Sequence, residues 1–306
     1  MITFVEHKNI NKQKWDTCIG NSSNTSIFVY SWYLDIVSEN WSALILNDYE
    51  AVFPIVSKSK YKISYLYQPY FTRYFGVYFQ LRFDEKIVNE FINAILEKYK
   101  YIDICLHESN ITKNNELEIK NRKFQSLDLK FPYVTIQKSY SENAKRNVKK
   151  AVKASLKVEQ DISPEKIVSL FKTTKGGDLE IFNAKDYAVL INLMNYCIKN
   201  NKGQSFAVYD GDILCAAAFF MFNNNIFTYL KSGLTDEGKA KGAMYFLMDY
   251  FIKENSGNDY LLDFGGSSVE SVAQFYKKFG AKDCVYLQIK KNKLPRLAKW
   301  IKKLKN

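Results

Sequence analysis

The stretch Thr228-Tyr229-Leu230-Lys231-Ser232-Gly233-Leu234-Thr235-Asp236-Glu237-Gly238-Lys239-Ala240-Lys241-Gly242-Ala243-Met244 decides how this chain is read. Its first residues complete a run that predicts a strand over 225–232. The glycines that follow predict a loop over 233–242, and the apolar spacing after Gly242 predicts a helix over 243–254. Glycines let backbone N–H groups come close to a ligand, and a helix start favours negative charge. Strand, loop and helix together therefore describe an anion cradle, with Lys239 and Lys241 placed to add charge against a pyrophosphate. The same residues also fit a surface loop that carries lysines by chance.

Upstream, strands over 204–209 and 213–222 turn at Asp210-Gly211-Asp212 and Asn223-Asn224-Asn225 and lead into this stretch as an antiparallel meander. Before them come a basic helix from Ser141 to Ala154, a helix opened by Pro164, and a helix over 184–199. Downstream lie a strand over 260–264, Gly265-Gly266, a helix over 270–279 that stops at Gly280, and a last strand over 283–290. The first half predicts a similar order. It has helices over 12–19 and 31–39, the second capped by Ser31, then strands over 42–47, 50–57 and 61–67. An aromatic loop, Gln68–Gly76, precedes an amphipathic helix over 85–98 and strands over 101–106, 122–129 and 132–137. A chain of 306 residues has room for two cores, and the element order repeats without visible sequence identity. The expected domains are 1–138 and 139–306.

Composition narrows the chemistry. The two histidines, His7 and His107, lie near no nucleophile motif, which disfavours Ser-His or Cys-His catalysis and a His-based metal site. The five cysteines are scattered and form no close pair, as expected for reduced thiols in the cytoplasm with no bound metal. No apolar run is long enough to span a bilayer, and Met1–Lys8 lack the pattern of a secretory leader. The net charge of +12 points to an anionic partner, although a lysine-rich composition bias explains it equally well.

Two side chains are candidates for proton transfer. Tyr276 sits in Phe275-Tyr276-Lys277-Lys278-Phe279-Gly280, and its phenol can donate to a departing thiolate or amine. Asp263, ending a strand before two glycines, can accept a proton or hold the acceptor, or it can simply cap a turn. The chain has five arginines, and Arg73 and Arg146 stand beside aromatic and basic segments where a bidentate anion contact would be useful. Residues 290–306 hold eight basic side chains and no acidic one. Leu294, Leu297, Ile301 and Leu304 share a helical face there, so an amphipathic helix resting on an anionic membrane or docked on its own domain is expected.

Order and spacing over 204–290 resemble the C-terminal part of the GNAT acyltransferase superfamily. The Gly238–Glu254 region is similar to its pyrophosphate-binding turn, and Phe275–Gly280 to its closing motif. The whole chain more specifically resembles the FemAB-like branch. The residues that carry this are Gln68-Pro69 leading to Gly76, Asn143-x-x-Arg146-Asn147-x-x-Lys150-Ala151, and Asp263-Phe264-Gly265-Gly266-Ser267 with Phe275–Ala281. The resemblance implies an α/β fold with α+β mixed sheets, two tandem GNAT-like domains sharing a cleft. It implies acyl transfer to an amine such as an amino sugar or cell-envelope precursor. Tyr276 would protonate the thiolate of acyl-CoA, the backbone of Leu230, Lys231 and Ser232 would hold the acyl carbonyl and pantetheine arm, and Gly238, Lys239, Lys241, Gly242 and Ala243 would bind phosphates. Gln68, Arg73, Arg146, Gly265, Gly266 and Ser267 would meet the acceptor. Two features depart from the pattern. The phosphate loop reads Lys239-x-x-Gly242-x-Met244 where the superfamily has Arg/Gln-x-x-Gly-x-Gly/Ala, and Tyr276 stands where the aminoacyl-tRNA-dependent Fem enzymes have lysine. Three readings stay open: an acyl-CoA enzyme, an aminoacyl-tRNA enzyme, and a degenerate pair that binds an anionic surface without catalysis.

Overall fold

The computed structural model describes residues 1–60, 63–80, 84–176, 182–265 and 270–294. It divides into two compact units, Met1–Arg122 with Val285–Asn306, and Lys123–Cys284. From the N-terminus the first unit runs β1 (Ile2–Val5), α1 (Lys12–Asn21), α2 (Ser31–Val37), β2 (Ser42–Leu46), β3 (Ala51–Ile55), β4 (Ser57–Lys60), β5 (Ile63–Tyr67), β6 (Tyr78–Phe79), α3 (Glu85–Lys98) and β7 (Tyr101–Leu106). Strand β8 (Glu118–Asp128) leads the chain into the second unit. There follow α4 (Tyr133–Lys138), α5 (Glu142–Lys153), β9 (Lys157–Gln160), α6 (Pro164–Phe171), α7 (Ala184–Lys199), β10 (Gly203–Asp210), β11 (Ile213–Asn223), β12 (Ile226–Leu234), α8 (Asp236–Lys241), α9 (Ala243–Asn255), β13 (Leu261–Asp263) and α10 (Glu270–Lys277). Strand β14 (Lys282–Asn292) leads back.

The first unit holds an antiparallel sheet in the order β1-β2-β3-β6 and the run β4-β5-β7-β14, in which β5 and β7 are parallel. Helix α3 buries Val88, Phe91, Ile92, Ile95 and Leu96 at helical spacing and is capped by Asp84, whose carboxylate accepts from Lys86 N. The second unit holds the run β8-β13-β12-β11-β10-β9, antiparallel except where β12 and β13 run parallel. Its core joins β10, β11 and β12 to α9 through Phe206, Phe220, Phe227 and Phe251, with Phe220 and Phe251 stacked at 3.7 Å. Each such ring contributes roughly 1.5–3 kcal/mol by leaving water.

The units are drawn differently from the division expected at residue 138. Leu127, Leu129 and Ile136 all enter the core of the second unit, so the segment after Arg122 packs there, and the terminal segment groups with the first unit. The strand expected over 132–137 is instead helix α4, Tyr133–Lys138. The alternating Tyr133-Val134-Thr135-Ile136 suits either state, but Pro132 opens the turn. Tyr133 and Ile136, three apart, then reach the Asp249 carboxylate (2.7 Å) and the core. Ser31 is the first residue of α2 and not its cap, because Asp16 takes both its N–H and its hydroxyl at 2.7 Å. Strand β9 was not expected. The basic tail helix falls mostly on 295–306, outside the described residues, and the part before it continues as β14 to Asn292.

Candidate active site

Two irregularities of β12 create the site. Against β11, Phe220 pairs with Tyr229 and Phe219 with Lys231, so Leu230 is the extra residue of a β-bulge. On its other edge β12 runs parallel to β13 for three pairs, Ile226–Leu261, Phe227–Leu262 and Thr228–Asp263, and there the pairing stops. The Asp263 carboxylate accepts the Gly265 N–H at 2.9 Å, and Gly265 takes φ +87°. The turn passes so close to β12 that a Cβ on Gly265 would lie 2.6 Å from the Tyr229 carbonyl oxygen. Beyond this point β13 ends, and the edge of β12 from Leu230 onward pairs with no strand among the described residues. Asp263 is buried, and its carboxylate caps this turn.

Tyr276 stands beside that opening. Its ring is buried, stacked on Phe264 at 4.7 Å and edge-on to Tyr229 at 6.0 Å. Tyr229, which the sequence reading did not single out, connects the parts. Its hydroxyl donates to Met244 Sδ at 3.7 Å in the first turn of α9 and is hydrogen-bonded by the Ser232 side chain, while burial pushes its pKa far up. The strand edge, the start of α9 and the Tyr276 phenol therefore meet around one ring.

The glycines of the expected cradle serve packing. A Cβ on Gly233 would meet Leu170 and Phe171 backbone at 2.8 Å, one on Gly238 the Cys215 carbonyl oxygen at 2.4 Å, and one on Gly242 the Asn147 carbonyl oxygen at 2.6 Å. Residues 236–241, expected as loop, form the short helix α8, capped by Thr235 through Gly238 N at 2.9 Å. Gly242 takes φ +78° and redirects the chain into α9, whose first turn has no side-chain cap. Lys241 is already engaged, donating to Asp210 and, at 2.9 Å, to Glu237, and these bonds raise its pKa. Lys239 is exposed on α8. Helix α5 packs beside this helix start. Ser141 caps it, Tyr245 donates to Asn143 Oδ1 at 2.9 Å, and Arg146, Lys149, Lys150 and Lys153 stay exposed.

Lys231 takes the opposite face of β12. Its ammonium lies 4.1 Å over Phe171 and 5.0 Å over Phe182, and burial pulls its pKa down to about 8. The alternation of a regular strand does not foretell this placement, because the bulge at Leu230 shifts the faces by one.

Gln68 and Arg73 belong to the first unit. The Gln68 Oε1 accepts from Cys105 N at 2.9 Å, and the Arg73 guanidinium rests over Phe28 and Tyr74 at 5.5 and 5.4 Å. Gly266 and Ser267 lie outside the described residues. No helix of the described residues is long and apolar enough to cross a membrane.

No family model matches the chain, and no curated protein matches it in sequence. Solved structures match its fold. FemX superposes with a TM-score of 0.60 at 12% identity, covering 91% of this chain and 96% of its own. A conserved protein of unknown function from Bacteroides thetaiotaomicron gives 0.60 at 10% identity over 95% and 99%. A tandem GNAT protein from the clavulanic acid biosynthesis pathway gives 0.50 at 9% identity over 95% and 98%. The fold is the mixed α+β, tandem GNAT-like fold shared with FemX, as the sequence resemblance implied.

Proposed function

We propose that this tandem GNAT-like chain is a transferase that moves an acyl group from a thioester donor, acyl-CoA, to an amine. The observation that carries the reading is the end of the β12–β13 pairing at Thr228 and Asp263, close to Tyr276 and the uncapped start of α9. The freed edge of β12 offers backbone N–H groups to the acyl carbonyl, where they would stabilise the oxyanion of the tetrahedral intermediate. The first turn of α9 offers amides to the donor's phosphates, helped by the exposed Lys239 and Arg146. Tyr276 supplies a proton to the leaving thiolate. Holding donor and acceptor in line accounts for much of the acceleration, about 7–11 kcal/mol in well-oriented cases. No covalent enzyme intermediate is needed. An amino sugar or cell-envelope precursor is the proposed acceptor class, and the basic terminal residues would favour an anionic membrane surface.

The test is product mass after incubation with acetyl-CoA and a panel of primary amines. An N-acetylated product, lowered in Tyr276→Phe, is expected. Absence of CoA binding, or unchanged turnover in Tyr276→Phe, contradicts the reading. One observation favours a second donor: the exposed basic face of α5, Arg146, Lys149, Lys150 and Lys153, suits the backbone of an aminoacyl-tRNA. Steeply salt-dependent tRNA binding that is lost in Arg146→Glu with Lys150→Glu would select it. CoA and tRNA both bound without any transfer would instead select the non-catalytic reading.

A further inference from the structure

Acyl transfer needs a proton given on one side of the carbonyl and taken on the other. Tyr229, Ser232 and Tyr276 occupy one face of β12. The other face is built by α6, the turn Lys172–Gly176 and α7. Gly233 lies directly beneath the backbone of Leu170 and Phe171, which presses α6 onto the strand two residues beyond Lys231. Phe171, Phe182 and Tyr187 form a cluster with ring separations of 6.1, 5.9 and 6.4 Å, and the Lys231 ammonium sits against two of these rings. We infer that Lys231 is the proton acceptor for the attacking amine, on the face of β12 opposite Tyr276, with the aromatic cluster as the wall of the acceptor site. The inference rests on the transferase reading above.

The step balances as follows. The acceptor attacks as R–NH2. As the C–N bond forms, the carbonyl π pair moves to oxygen, against the N–H groups of the β12 edge, and Lys231 Nζ takes one proton from the attacking nitrogen. The oxyanion pair returns, the C–S bond breaks, and Tyr276 gives its proton to the thiolate. The Lys231 ammonium and the Tyr276 phenolate are then reset by transfer of that one proton through solvent.

An ordinary lysine is a poor base at neutral pH because it is almost fully protonated. Desolvation by burial brings Lys231 down to about 8. Among the described residues, titratable side chains in contact with its aromatic cluster include Lys172, whose ammonium lies 4.5 Å over Tyr187, and Tyr187 itself. Its partner on β11 is Phe219, and Asp263 at the end of β13 is turned to Gly265 N. The aromatic walls fit an acceptor whose amine is carried on a flat or apolar body.

Two measurements on the full chain test this. Trace labelling with acetic anhydride across pH, read by peptide mass, reports the titration of Lys231 itself. A midpoint near 8 is expected, and one near the ordinary 10.5 overturns the inference. With acetyl-CoA and tyramine, the wild-type kcat should rise with pH to a plateau with a midpoint near 8. Lys231→Arg keeps the charge but cannot accept a proton near neutrality, and it should lose about 100-fold in kcat together with that limb. Lys231→Arg with wild-type kcat and pH profile overturns the role. No N-acetyltyramine from the wild-type chain counts against the transferase reading, and the labelling midpoint then still decides whether Lys231 is a titrating base.

Discussion

Among the described residues each unit contains one short parallel strand pair, and the chain beyond the two pairs differs. In the first unit β5 and β7 pair through Tyr65–Tyr101, Leu66–Ile102 and Tyr67–Asp103. The space past that pair is then filled. Gln68 Oε1 takes the Cys105 N–H, Phe75 N donates to the Cys105 carbonyl at 2.8 Å, and His107 N donates to the Phe75 carbonyl at 2.6 Å. In the second unit β12 and β13 also pair over three residues, but β13 ends at Asp263, and among the described residues the edge of β12 from Leu230 onward pairs with no strand. A parallel pair that splays is a slot for a ligand only if the chain leaves it open. The aromatic Gln68–Gly76 loop fills the first edge, while the second is unpaired among the described residues.

The largest expected effect attacks the open slot. Tyr276→Phe removes a hydroxyl from a ring already packed on Phe264, so the fold should persist while acyl transfer falls about 100-fold or more, read as kcat. Equal rates would mean that the open slot is not where the leaving group is protonated. Next is Gly242→Ala, which forces a side chain into φ +78° and against the Asn147 carbonyl oxygen. Strain and overpacking of this kind cost about 1–3 kcal/mol each, so a loss of about 3 kcal/mol in denaturant unfolding is expected. A negligible loss would show that α5 and the start of α9 do not depend on each other.

The plug offers its own tests. Burial first, and the Arg73 charge second, pull His107 down to about 4. Its folded pKa is thus below the unfolded value of about 6.5, and the unfolded chain binds more protons between them. The stabilisation is complete above pH 6.5 and is lost as pH falls toward 4, by about 3 kcal/mol in total. His107→Gln should flatten that acid dependence, and thermal unfolding between pH 4 and pH 7 measures it. The smallest effect belongs to Gln68→Leu, which strands the Cys105 N–H. About 1–3 kcal/mol of stability should be lost, with faster hydrogen exchange at Cys105. Unchanged exchange would mean that the plug is held by Phe75 without Gln68.

Much of this could be read in advance, and the failures have physical causes. The amphipathic helix at 85–98 matches α3, and the glycine stop at Gly280 matches its φ of +86°, because helical period and left-handed glycines are local properties. The end of β12 and the helix from Ala243 were legible for the same reason. Helix α4 was not, since Tyr133 and Ile136 are held by Asp249 and a core that are distant in sequence. Nor was the face of Lys231, because one bulged residue inverts everything after it. The three glycines at 233, 238 and 242 were read as ligand contacts. They are sites where β12, α8 and α9 touch Leu170, Cys215 and Asn147, an outcome that composition alone does not separate from a phosphate loop. The plug depends on a side chain, Gln68, standing in for backbone, and no periodicity announces that.

The most direct test of the open and closed slots is hydrogen–deuterium exchange of the full chain with and without saturating acetyl-CoA. Protection at Leu230–Ser232 and at the Ala243–Tyr245 amides, with the Gln68–Gly76 segment unchanged, is the predicted result. Protection confined to Gln68–Gly76, or none at either place, would contradict the account.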